Sequence, residues 1–595
     1  MNHHRFFGLL LVVALGTAPL ASAQDKKGTD SAAANAVPRL LKNLSSEDVL
    51  VAASAARSLG VIFSADDKAA VPEEPVIEAL QTALASPRGA ELRREAAAAL
   101  GSMKIGKAVA NLKKAMDDED VKVAIAAAVA LGAILPLDDA RVYLTQRGKE
   151  KSQTVQAAAY EGIAPLARPE DSDFLAVGLT SPNWRVQMNA VKGLERTVRA
   201  GASLKPETYD RIAAVLGSEM VAAAEASSHF LIHIGNEESL RAIVAAIDIH
   251  GDGGPQDGTW RTRTYALRTL NHFQWPTIRV GIPAVIRQLG DPTSNVTNQV
   301  RAIFKRLNKE GHLQHDELFP LLLVELEQAK GVRLRSAIMA EMGSQVANQY
   351  ASRVAKVAAV SLDEALKDPT AWPLRANSIT LLGASGFTGS IEKIAPCVND
   401  DVTNVRSAAG EALAKLSKLC TPEQKAKVAT VLVASISNPL DWRKTATAAQ
   451  VAGDYPAPES IEPLVKLLGH AVLNVREASS HSLVTLAKGE DVKLRSAVEK
   501  RILTEIGEQE KSWEGCAKVL GALHKKEAVA LLIPVLRRGT WRAQAAAANA
   551  IIEIAAMHRV NDQELNEALI RAAQSEILQV QQAANKALQV ISQGK

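Results

Sequence analysis

The chain has 595 residues, 47% of them apolar and 23% charged, with 69 Lys and Arg against 65 Asp and Glu. This mix excludes a disordered, collagenous or strongly basic or acidic tail protein, and the near-balanced charge predicts no nucleic-acid groove. With only 4% aromatic residues and recurrent blocks of Ala and Leu, the composition favours an all-α chain over a sandwich or barrel.

Met1 to Arg5 is polar and basic, Phe6 to Gly16 is an uncharged apolar run, and Ala21-Ser22-Ala23 has the small-residue pattern of a cleavage site. Residues 1–23 therefore read as a secretory signal peptide, the run being too short for the ~20 residues of a membrane span. No Cys follows it to accept a lipid. The expectation is an exported protein, periplasmic or extracellular, starting near Gln24 and not inserted in the membrane after cleavage. Residues 24–36 read as a flexible lead-in. The later apolar run Val123 to Leu137 has Gly132 within it and Asp138-Asp139 behind it, and reads as a core helix.

From residue 37 to 595 one local pattern recurs: an apolar residue, often Arg or Gln next, small residues, and eight positions on an apolar residue commonly followed by Gly. Taking the first apolar residue as position 0, copies fall at Val51, Leu92, Val123, Val155, Val186, Ala223, Thr262, Val296, Leu334, Leu374, Val405, Lys444, Val475, Ser512, Ala543 and Val580. Those at Ala223, Lys444 and Ser512 fit least well. Positions 0, 4, 7 and 8 share one helical face, and Ala in the middle lets another helix approach closely. Upstream segments such as Val37-Pro38-Arg39-Leu40-Leu41, Ile282-Pro283-Ala284-Val285-Ile286 and Ile461-Glu462-Pro463-Leu464-Val465 carry apolar residues at i, i+3, i+4, with Pro in the opening turn. Turn clusters such as Asn399-Asp400-Asp401 and Gly290-Asp291-Pro292 join the two helices and cap the second. Each unit is thus a helical hairpin unable to bury its faces alone, and the reading is an all-α solenoid, a superhelix of about sixteen stacked hairpins in one continuous array.

The Val-Arg pair, the Ala-rich middle and the Leu-Gly ending, as in Leu92-Arg93 leading to Leu100-Gly101, make the chain resemble HEAT-repeat proteins, more closely the HEAT-like repeats of the phycobilisome-lyase type. The resemblance implies protein binding and scaffolding. It implies chromophore lyase activity only for some members, and no lyase-specific motif is found to carry over.

The residue after position 0 is Arg at Arg93, Arg263, Arg335, Arg375, Arg406 and Arg476, and Gln at Gln156, Gln187, Gln544 and Gln581. A cation near a helix N-terminus opposes the macrodipole, so compensation by aspartates of adjacent turns, such as Asp400 and Asp401, is expected. The expected result is a ladder of bonds between neighbouring repeats, with an anion-binding row as the rival. Five of seven Trp stand two residues before position 0, at Trp184, Trp260, Trp372, Trp442 and Trp541, and four are followed by Arg. The register favours packing over the interhelix turn, and the rival reading is a strip that stacks on a glycan or peptide.

The segment Asp248 to Gly258 starts like a calcium loop but has His250 at its third position and Thr259 where a closing Glu belongs, so it reads as a polar turn. His312 and His315 are too few for zinc. Three cysteines, Cys397, Cys420 and Cys516, form no disulfide framework, though a Cys397–Cys420 bridge within one hairpin is left open beside free thiols. No nucleophile elbow, phosphate loop or His-Glu-x-x-His stretch occurs, so neither catalytic nor metal residues nor a cofactor are assigned, and the binding surface stays unknown. The leading expectation is an exported, noncatalytic scaffold for another protein along an extended curved surface. A lyase-like HEAT enzyme subunit acting on a chromophore or small ligand is the first alternative, and a cell-envelope glycan-binding protein the second.

Overall fold

The computed structural model describes residues 36–64, 73–248, 259–312, 315–438, 441–560 and 562–593. The expected signal peptide, nearly all of the lead-in and the calcium-loop-like segment from 249 to 258 lie outside them. The described residues contain helices and turns and no strand. They divide into two compact units, ending and beginning at Gly281 and Ile282.

The first unit holds seven of the second helices of hairpins, from Val49–Ser64 to Thr259–Leu270, and the second holds nine, from Ser294–Lys309 to Leu578–Gln593. Each unit is a stretch of α-solenoid in which second helices pack on second helices and first helices on first. Fourteen of the sixteen position-0 residues are the third residue of a second helix, while Thr262 is the fourth and Ser512 stands just before one. Position 0 is buried in every copy except Val51, Leu334 and Lys444, which fits its place on the face that meets both its own first helix and the next hairpin. The run from Val123 lies in the helix Val121–Ile134 with Val123, Ala127, Ala128 and Leu131 buried, so it is core.

The Leu-Gly ending has a steric cause. A Cβ placed on Gly60, Gly101, Gly383, Gly453 or Gly521, each at position 9, would stand 2.8 Å from the Cα of Ala99, Ala130, Ala412, Ser482 or Ala550, each at position 7 of the following copy. No side chain fits there, and the second helices touch backbone to backbone. Gly521 and Ala550 also settle one of the three weakest copies: Ser512 is in register, and its helix, Trp513–Leu523, begins late because Glu510–Ser512 forms a 3-10 turn.

The interhelix turns cap as their composition predicts. Asp400 Oδ1 accepts from the Val402 N–H at 2.9 Å, and Asp291 Oδ1 from the Thr293 N–H at 2.7 Å. All three cysteines are free thiols, Cys397 and Cys516 buried and Cys420 half-buried, so Cys397 and Cys420 are not bridged. Burial, aided by Asp400, pushes the Cys397 thiol up to about 11.

Candidate functional site

The row of residues at position 1 works differently from the expected ladder. Arg406 donates from Nη1 to the carbonyls of Asp400 and Asp401 at 2.7 and 2.9 Å and from Nη2 to Thr403 Oγ1 at 2.9 Å, all within its own hairpin. Arg476 donates likewise to the carbonyls of His470 and Ala471, and it also pairs with Glu514 of the next copy at 3.8 Å. Gln156, Gln187 and Gln544 reach the carbonyls of Glu150, Ser181 and Leu536 at 2.6, 2.8 and 3.0 Å. The side chain folds back onto the carbonyl end of the first helix, where the macrodipole is negative, and this removes the conflict expected for a cation at a helix N-terminus. Either Arg or Gln serves because only an N–H donor of the right reach is needed.

Arg reaches farther in some copies, and there the ladder exists. Arg93 donates to both carboxylate oxygens of Asp118 in the next hairpin, at 2.7 and 3.0 Å, as well as to the Ser86 carbonyl. Arg375 spans in the same way to Asp400, at 3.1 and 3.4 Å, while its Nη1 meets the carbonyls of Ala365, Asp368 and Pro369. Arg335 pairs with Glu364. Burial works against the Asp118 carboxylate, yet the bonds from Arg93 and from the Asp120 N–H hold its pKa below the ordinary value. Arg263 donates to Thr259 Oγ1. These guanidinium groups serve the repeat itself, and buried Arg375 and Arg406 are held by the bonds above.

Trp513 fills the same role. It occupies position 1 of its copy, is buried, and donates its indole N–H to the Ile506 carbonyl at 2.8 Å, seven residues back, as Arg93 does to Ser86. The sequence pattern missed it because the recurrent letter at this position is Arg or Gln, whereas the requirement is an N–H.

The other Trp position gives a different surface. Trp184, Trp372, Trp442 and Trp541 are each the first residue of a second helix and Trp260 the second. None of the five is buried: Trp184, Trp260 and Trp442 are half-buried, and Trp372 and Trp541 are 37% and 39% exposed. Full packing over the turn therefore does not describe them. In four cases the following Arg lies over the ring, with the guanidinium carbon 4.4 Å from the centroid for Arg185 on Trp184, 5.2 Å for Arg261 on Trp260, and 4.7 Å for both Arg443 on Trp442 and Arg542 on Trp541. Local caps fix the geometry, since Asn183 Oδ1 accepts from the Arg185 N–H at 3.0 Å and Asp441 Oδ1 from the Arg443 N–H at 2.8 Å. Arg261 also meets Glu219 at 3.5 Å, whereas no carboxylate pairs with Arg185, Arg443 or Arg542 among the described residues. Trp372 is followed by Pro373 and carries no such stack.

His312 lies among the described residues and the side chain of His315 does not. Among the described residues no group of three or more His, Cys, Asp or Glu side chains is placed to hold a metal ion, and no helix is long and apolar enough to cross a membrane.

Residues 77–164 match the family model described as HEAT repeats. This stretch is HEAT-repeat. No curated protein matches the chain. Among solved structures it is similar to importin beta in an ammonium sulfate condition, at 12% identity and a TM-score of 0.35 over 96% of this chain and 97% of that one. Yeast importin-beta, Kap95p, gives 12% identity and 0.33 over 94% and 89%. The karyopherin Kap121p bound to the SUMO protease Ulp1p gives 12% and 0.33 over 95% and 78%. The fold assignment rests on the hairpins and their register.

Proposed function

We propose that the chain is an exported, noncatalytic HEAT-repeat scaffold, with the repeats running on through both units, and that each unit binds protein along the edge its own tryptophans mark. The observation that carries this reading is the row of partly exposed Trp rings at the start of second helices, each of four bearing a guanidinium. Trp and Arg are the residues that most often supply binding energy at protein interfaces. A stacked Arg keeps its N–H donors while its plane is preset by the ring, so little entropy is lost when a carboxylate or carbonyl docks. In the copies of Trp372 and Trp442, Gly383 and Gly453 close the stack backbone to backbone, independently of the rings.

Export rests on the segment Met1 to Ala23, and N-terminal sequencing of the native protein should start near Gln24. The closer kinship with lyase-type repeats rests on the repeat pattern alone and supplies no catalytic residue. Affinity capture from the exported fraction tests the reading: wild-type protein should retain a discrete partner, and Trp184→Ala, Trp442→Ala and Trp541→Ala combined should lose it while keeping native helicity. Retention of the partner by that variant would contradict the proposal, and release by a soluble glycan would move the edge to sugar recognition.

A further inference from the structure

Away from the tryptophan edge, the first unit contains an open cleft of about 510 Å³ at the far end of the helix Trp184–Arg199. Its origin is a mismatch of helix lengths. The helices Gln153–Ile163 and Trp184–Arg199 start in the same register but have 11 and 16 residues. Pro165 sits in the 3-10 turn Ala164–Leu166 that replaces the rest of the shorter helix. The longer helix therefore stays α-helical for five more residues, about 7 Å, where its neighbour has already turned into the 3-10 segment. The space beside that overhang is the cleft, with a volume in the range of ligand sites.

Its walls differ in chemistry. Leu137, Pro165 and Leu166 line one side, with Leu137 39% exposed. Lys192, Arg196 and Arg199 line the other, spaced i, i+4, i+7 on one face of the overhanging helix, and Arg168 adds a fourth cation. The single carboxylate in the lining, Glu195, accepts from Arg199 at 2.5 Å and faces His229 Nδ1 at 3.2 Å. Arg168 is paired with Asp138 at 2.9 Å. Exposed Lys192 and Arg196 have no carboxylate partner among the described residues.

We propose that this cleft takes an acidic peptide segment of a partner protein, with carboxylates on Lys192 and Arg196 and an apolar side chain on Leu137 and Leu166. It deepens the scaffold reading and rests on it only for the choice of a peptide. The cation surplus demands an anionic ligand, and the exposed Leu137 demands one that also brings apolar surface. Free phosphate satisfies only the first demand.

The test is fluorescence anisotropy of the full mature chain with a labelled peptide of alternating Glu and Leu, against a Lys and Leu peptide of equal length. The Glu peptide should bind, the Lys peptide should not, and affinity should fall as salt rises from about 50 to 300 mM. Lys192→Glu with Arg196→Glu should weaken binding about ten-fold or more, and Leu166→Ala should weaken it without changing the salt dependence. Lys427→Glu, in the other unit, should leave it unchanged. Wild-type affinity in the double variant, equal binding of the Lys peptide, displacement by inorganic phosphate at the peptide's own concentration, or binding of anionic vesicles in place of the peptide would each overturn the inference. If the double variant loses its native melting transition, Leu166→Ala and the wild-type salt series decide. Loss of peptide binding with partner capture at the tryptophan edge intact would sink the cleft alone, and peptide binding without capture would sink only the edge.

Discussion

Gly383 and Ala412 meet backbone to backbone: a Cβ on Gly383 would lie 2.8 Å from both the Cα and the Cβ of Ala412. Inside a helix Gly→Ala normally stabilises, by about 0.4 to 1 kcal/mol. Here the added methyl must push two helices apart, so Gly383→Ala should destabilise by about 1 to 3 kcal/mol. Gly410 is the internal control. Its Cβ would find Thr447 Cγ2 at 3.4 Å and Val451 Cγ2 at 3.7 Å, ordinary contacts, so Gly410→Ala should be neutral or stabilising. Denaturant melts should show a lower midpoint for Gly383→Ala and an unchanged or higher one for Gly410→Ala.

Position 1 needs a donor more than a charge. Arg406→Ala leaves the carbonyls of Asp400 and Asp401 without the bonds they now receive and should cost about 1.5 to 3 kcal/mol. Arg406→Gln should recover most of that, since Gln performs this task at Gln156, Gln187 and Gln544. At Arg93, Gln should recover less of what Arg93→Ala loses, because it also ends the pairing with Asp118. Chemical melts of the four variants measure this directly.

Acid stability has a named contributor at Glu95. The hydrogen bond from Arg57 lowers its pKa, burial opposes, and Arg94 adds to the lowering. A depressed folded-state value means that the stabilisation is present above the unfolded Glu value, about 4.3, and is lost as pH falls through the folded one. Arg57→Met should raise the native pKa of Glu95 and move acid unfolding to higher pH, while changing little at pH 7 beyond the loss of the ion pair. An unchanged acid midpoint would count against this pair.

The tryptophans should separate into one protected ring and an accessible set. Trp513, 5% exposed and hydrogen-bonded through its N–H, should resist acrylamide quenching, and Trp513→Ala should cost about 3 to 5 kcal/mol. Trp442→Ala should cost about 1 kcal/mol, since its ring is only half-buried. Quenching of single-Trp variants distinguishes the two environments.

The repeat itself was legible because its causes are local. Fourteen position-0 residues fall at the third place of a helix since a turn, a cap and an apolar face recur together. The Gly at position 9 was visible as a letter, but its reason, the Cα of Ala130 or Ala412, lies in the next copy. Arg406 was misplaced between repeats because the macrodipole of its own helix was weighed without the opposite end of the preceding one. Trp513 escaped because the recurrent letters at position 1 are Arg and Gln, whereas the position needs only an N–H of the right reach. The cleft at Lys192 was not legible at all: it depends on how far one helix outruns another, and Pro165 was the only signal.

The central claim is that the Trp–Arg edge is where a partner protein docks. A photo-crosslinking amino acid placed at position 443, beside Trp442, measures this most directly in the exported fraction, with position 427 as the control. Lys427 pairs with Glu392 at 2.8 Å on a first helix, away from the edge. The account predicts a discrete crosslinked species from position 443 that is absent from 427 and disappears when Trp442 is changed to Ala. Crosslinks from 427 alone, or a species from 443 indifferent to Trp442→Ala, would contradict it.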